Sequence, residues 1–201
     1  MKIIFLLLAL SLTVAAQEEF FSPLRGSATP EFQMAEGEGK CLVFGTHIVK
    51  TSLSKDGGED VEVFHREDDA KGARACRVRQ DPYFTIKDFD NNSFYGISAV
   101  YFFIDQGTSS GSRMLAIYKT DSGEEVTHVG YYGNGNPPRI EAARYLYYDT
   151  EANRKGPASS CPQAAKWRKQ GGGMIWLQGK KLDLNEQILS DIGPIHCAYQ
   201  E

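Results

Sequence analysis

From Cys41 onward, short runs of β-branched and aromatic residues alternate with clusters of glycine, asparagine, aspartate and serine. The runs fall at 41–50, 61–66, 73–79, 83–88, 94–105, 113–119, 125–132, 140–148, 173–184 and 194–199. Between them stand Lys55-Asp56-Gly57-Gly58, Asp90-Asn91-Asn92, residues 107–111, Asp121-Ser122-Gly123 and residues 133–138. This spacing predicts a mainly β fold: an antiparallel sandwich, barrel or propeller-like sheet, with one or two short helices. Val100-Tyr101-Phe102-Phe103-Ile104 is apolar throughout and predicts a central strand buried on both faces. Residues 113–119 and 124–131, joined through Asp121-Ser122-Gly123, predict a hairpin. Pro162 after Cys161 and the stop Gly171-Gly172-Gly173 frame a helix over 162–170, and a second short helix is expected at 185–190. Residues 17–40 carry Pro23, Pro30, Gly26, Gly37 and Gly39 without a period, and read as a flexible arm. Residues 41–201 then form a single β-rich domain.

The N-terminus changes the picture. Lys2, an apolar run over residues 3–10, and Val14 and Ala16 at the −3 and −1 positions describe a signal peptide over residues 1–16, with Gln17 first in the mature chain. The run is short of the about 20 residues that span a bilayer, and no second apolar run spans one, so no membrane contact is expected after cleavage. A secreted or periplasmic location follows. Export makes Cys41, Cys76, Cys161 and Cys197 two disulfides by default. Three pairings exist; Cys41–Cys76 with Cys161–Cys197 is favoured because each closes a loop within its own half. A zinc site using His196 beside Cys197 lacks any C-x-x-C or H-x-x-x-H spacing, so no metal and no cofactor is expected. The balance of 41% hydrophobic and 24% charged residues over 201 positions is that of a globular domain. A net charge of −4 argues against nucleic acid as a partner.

Several motifs imitate chemistry. Gly107-Thr108-Ser109-Ser110-Gly111 matches G-x-S-x-G, and Asp149 or Asp183 followed by His196 keeps the hydrolase order. A nucleophile elbow needs a helix after the turn, whereas Arg113 to Tyr118 reads as a strand. Asp88, Asp90 and Asn92 begin like a calcium loop, but Ser93 and Ala99 stand where Gly and Glu are required. Asn91-Asn92-Ser93 is a glycosylation acceptor in a eukaryotic host. His47, His65, His128 and His196 lie in separate strand runs, and the acidic residues Glu59-Asp60 and Glu67-Asp68-Asp69 read as a solvated face. Tyr131, Tyr132, Tyr145, Tyr147 and Tyr148 flank a Gly/Asn/Pro loop. They are the candidate binding surface, since a tyrosine joins apolar area to a polar tip. The competing use of the same tyrosines is cross-strand packing.

Two blocks carry a resemblance. The first is Phe103-Ile104-Asp105-Gln106-Gly107-Thr108-Ser109 with Arg113-Met114-Leu115-Ala116-Ile117-Tyr118 and Thr120-Asp121-Ser122-Gly123-Glu124-Glu125-Val126. The second is Cys161-Pro162-Gln163-Ala164-Ala165-Lys166-Trp167, Leu182-Asp183-Leu184 and Cys197. Over about residues 95–198 the chain resembles a family of uncharacterised exported bacterial β-rich proteins, periplasmic or lipid-anchored. The resemblance implies a Cys161–Cys197 pair and assigns no catalytic residue; the lipid-attachment Cys of some members is missing, which implies a soluble form. The expected function is a non-enzymatic module binding a protein or an envelope glycan. The alternative is a small secreted hydrolase of envelope polymers using Ser109, His128 or His196.

Overall fold

The computed structural model describes residues 24–67, 70–77, 79–88, 91–107 and 111–200. The signal segment, Asp68, Asp69, Asp90 and Ser109 lie outside these. Each strand pairs antiparallel with its sequence neighbour, giving three meanders in chain order. The first holds β1 (Phe32–Glu36), β2 (Gly39–Val43), β3 (His47–Leu53), β4 (Glu59–His65) and β5 (Phe84–Ile86). The second holds β6 (Ser93–Ile97), β7 (Tyr101–Gln106), β8 (Ser112–Lys119) and β9 (Glu125–Tyr132). The third holds β10 (Arg139–Glu141), β11 (Tyr145–Glu151), β12 (Gly173–Asp183) and β13 (Ile188–Gln200). The architecture is a β-sandwich in which the middle sheet is shared.

The apolar run at β7 explains that sharing, since every residue of the strand is buried. Side chains alternate across a strand, so Phe102 and Ile104 meet Leu42, Val49 and Val63 of the first sheet, while Tyr101 and Phe103 meet Leu146, Tyr148 and Leu182 of the third. Phe102 and Phe103 are fully buried on opposite faces, and truncating either to alanine would cost about 3–5 kcal/mol. Carboxylates stitch the layers further. Glu59 accepts the Phe94 amide at 3.0 Å and an ammonium hydrogen of Lys40 at 3.3 Å, so Glu59 is a structural bridge and not part of a solvated face. Asp60 takes the Asp88 amide and the Lys87 ammonium, and the Lys87 hydrogen bond lowers its pKa.

The favoured disulfide pairing is the one present. Cys41–Cys76 ties the loop after β4 to β2, and Cys161–Cys197 ties the segment before α1 (Ala164–Lys169) to β13. Closing 35- and 36-residue separations contributes about 4 kcal/mol each in the loop-entropy treatment. Two disulfides accord with an oxidising compartment. Among the described residues no helix is long and apolar enough to cross a membrane.

Four expectations change. The supposed arm is docked from Leu24 onward: Leu24 is buried in the core against the third sheet, and β1 pairs with β2. Of the run predicted over 73–79, the described residues 73–77 and 79 are not strand; a 3-10 turn at Gly72–Arg74 places Cys76 for its disulfide. No helix forms at 185–190, because Asp183 Oδ1 accepts the Asn185 and Glu186 amides and turns the chain into β13. Runs 41–50 and 94–105 each break into two strands around turns.

Burial raises the phenol pKa of Tyr148 from 10.0 to about 12. Between those values the unfolded chain ionises this phenol while the native state keeps it protonated, so the native state loses ground as pH rises. Stability measured by chemical denaturation should hold to about pH 10 and fall toward pH 12. Tyr148→Phe should lessen that fall; an unaltered fall in the variant contradicts the assignment.

Candidate functional site

On β11, Leu146 and Tyr148 face the core, which leaves Tyr145, Tyr147 and Asp149 on the outer face of the third sheet. Asp149 stands opposite Gly179 of β12, and Gly179 stands opposite Ile192 of β13. One step along, Leu177 pairs with His196, so residues 193–195 bulge opposite Gln178. Pro194 suits a bulge because it has no amide to contribute to the ladder. The Gln178 side-chain amide fills the gap, donating to the Ile192 carbonyl at 3.0 Å and to its neighbour Gly179 at 3.1 Å. Its two extra residues keep the side-chain alternation and move His196 along the face that carries Asp149, to stand opposite Leu177.

A loop over residues 133–138 folds down on the same face. Gly135 permits the approach, since a Cβ there would lie 3.0 Å from Asp149 Oδ2 and from Leu177 Cδ1; a Cβ at Gly179 would lie 2.9 Å from the Ile192 carbonyl oxygen, so that glycine admits the neighbouring strand. Asp149 Oδ2 accepts the Asn136 backbone amide at 2.8 Å and its side-chain amide at 2.7 Å, and lies 3.0 Å from His196 Nε2. An ionised carboxylate only accepts, so His196 donates through Nε2. The carboxylate is nearly buried at 5% exposure, while the His196 side chain stays 34% exposed. These donors compensate the burial of the carboxylate.

Loop, β11, Gly179 and the bulge enclose a cleft of about 310 Å³, near the small end of the roughly 300–1,000 Å³ of ligand sites. Asn136 and Pro137 form one wall, Ile192, Gly193 and Pro194 the other, with His196 and Asp149 at the base. Arg139 lays its guanidinium over the Tyr147 ring, 4.2 Å from the centroid. Farther along the face, the Lys181 ammonium sits 4.0 Å from the Tyr145 ring. The turn joining β10 to β11 holds Ala142 and Ala143 at φ of 51° and 49°. L-residues in this region cost about 1–2 kcal/mol each. Next to it, Arg144 is anchored by Asp183 and Glu186.

The sequence candidates separate accordingly. Tyr131, Tyr132 and Tyr148 are buried and supply core, not surface. The Tyr131 hydroxyl donates to Asp105 at 2.8 Å, and burial together with that carboxylate raises its pKa. Tyr145 and Tyr147 remain half-exposed on the outer face. Of the two aspartates considered beside His196, Asp149 meets it, whereas Asp183 pairs with Arg144 at the other end of the sheet. His128 is exposed and pairs with Glu125. Ser109 lies outside the described residues, and among the described residues no serine, threonine or cysteine lines the cleft. The Asp88 oxygens accept the Gly58 and Asn92 amides, and Asn92 is buried against Gln106, so both serve a turn. Among the described residues no group of three or more His, Cys, Asp and Glu side chains gathers as a metal site.

Removing the carboxylate in Asp149→Ala strips the loop of its charged anchor and should cost about 1.5–3 kcal/mol. Hydrogen exchange should show the Asn136 amide losing protection while the amides of β7 keep theirs. Undiminished protection of Asn136 would contradict the anchoring role.

No family model, curated protein or solved structure matches this chain, so the cleft is read from its own chemistry.

Proposed function

We propose that the protein is an exported binding module that takes one sugar ring of an envelope or extracellular glycan in the cleft between the 133–138 loop and the bulge of β13. The observation that carries this reading is the cleft's composition. An aromatic ring overlaid by a planar guanidinium borders a base of carboxylate, carboxamide and imidazole. A sugar ring has the complementary character, with apolar C–H faces and hydroxyls at its rim. Arg139 borders the cleft with its Nε donating to Glu141 Oε1 at 3.1 Å, and its two terminal nitrogens favour an acidic sugar, whose carboxylate they can grip with two parallel hydrogen bonds. The leader-like residues 1–16 and the two disulfides support export.

A hydrolase acting on envelope polymers is a second reading, and the Asp149–His196 pair at 3.0 Å is the observation in its favour. Against it stands the cleft lining, which among the described residues holds no hydroxyl nucleophile other than tyrosine phenols. One titration separates the two. Alginate and hyaluronan oligosaccharides should bind to the purified protein and be recovered intact, with neutral cello-oligosaccharides weaker. Tyr147→Ala and Arg139→Ala should each weaken binding at least about tenfold, the loss expected of a central contact. Shortened products that disappear in His196→Ala would establish the hydrolase instead. Equal binding by Tyr147→Ala and the parent would overturn the cleft as the site.

A further inference from the structure

The first sheet carries a pair of histidines that the cleft does not use. His47 opens β3, His65 closes β4, and the two are directly opposite in register. The Arg66 amide donates to the Thr46 carbonyl at 3.0 Å. That makes 46–66 a hydrogen-bonded pair and 47–65 the adjacent non-bonded pair, in which side chains stand closer. Their ring centroids are 5.4 Å apart with planes inclined by 39°.

Both rings are held in place. The Thr46 hydroxyl meets His47 Nδ1 at 2.8 Å, which leaves Nε2 open. The Tyr83 ring packs on His65 at 4.2 Å, and the Tyr83 hydroxyl donates to the Asp121 carbonyl in the turn between β8 and β9. Neither imidazole has a carboxylate partner among the described residues. Burial, aided by the neighbouring His65, lowers the pKa of His47.

We propose that His47 and His65 form a two-imidazole clip for a divalent transition-metal ion of the zinc, nickel or copper class. Imidazole suits these ions, and a ligating histidine ordinarily has its other ring nitrogen tied to a polar group, as Thr46 ties His47. With metal–nitrogen bonds of about 2.1 Å, two imidazoles on a tetrahedral ion place their centroids about 5 Å apart. The observed separation is already near that figure, so ligation needs only small ring rotations. Water or a partner's side chain would fill the remaining positions. The recess on the far side of His65 is lined by Glu67 and Gln80 together with Arg74, Arg77 and Arg79, so the ion is held by the two imidazoles and not by that recess.

Untagged, chelator-treated protein titrated with zinc chloride and with nickel chloride, followed by calorimetry and thermal melting, tests the clip. One equivalent should bind and raise the melting midpoint. His47→Asn and His65→Asn should each weaken binding at least tenfold, while His128→Asn leaves it unchanged. A parallel measurement needs no variant: in proton spectra, copper(II) should broaden the ring signals of His47 and His65 before those of His128 and His196. Absence of binding, equal binding in the His47 and His65 variants, or first broadening at another histidine would each overturn the proposal.

Discussion

The structure depends on burying one sheet from both sides. An antiparallel sheet with one wet face alternates polar and apolar residues, whereas β7 offers Tyr101-Phe102-Phe103-Ile104 in succession. With large side chains on both faces, that strand needs an apolar cover above and below, and the flanking meanders supply it. Polar groups at this level are satisfied internally. Arg113 and the Tyr131 hydroxyl converge on Asp105, and the hydrogen bond that Arg113 donates to Asp105 raises the pKa of Arg113. The third sheet is consequently fixed on its inner face by Leu146, Tyr148 and Leu182, and its outer face is free to carry a site.

The cleft follows from this frame through two local departures from regular structure. The bulge at residues 193–195 moves His196 along the face of Asp149 to stand opposite Leu177, while Gly135 admits the covering loop and Gly179 the close approach of Ile192. Asp149 organises both, since one oxygen holds the loop amides and the imidazole together. The disulfide at Cys197, next to His196, ties that stretch of β13 to the segment leading into α1. The strained alanines at the turn between β10 and β11 sit beside Arg139 and Arg144, the cations of the same face.

Much of the fold was legible because local signals agreed with the tertiary result. The β8–β9 hairpin, the doubly buried β7 and α1 are strong local patterns, and pairing cysteines within each half matched the meander order. The misread segments lacked such signals. β1 is Phe32-Gln33-Met34-Ala35-Glu36, an edge strand held by pairing more than by β propensity. Ile188 and Leu189 begin β13 both more than half exposed, so no alternation marked them as strand. The meeting of Asp149 with His196, 47 residues apart, depends on a three-strand register and a bulge that no local pattern encodes. His47 opposite His65 is likewise a fact of register. The tyrosine candidates divided by strand parity: Tyr145 and Tyr147 share one face of β11, and Tyr148 falls on the other.

The central claim is that the outer face of the third sheet is where a glycan docks. A crystal structure of the protein soaked with a uronic-acid oligosaccharide tests it most directly. The account predicts one sugar ring seated between Asn136 and Pro194, touching the Tyr147–Arg139 pair, with its hydroxyls on His196 and Asn136. A saccharide bound at another face, with this cleft holding only solvent, would contradict it.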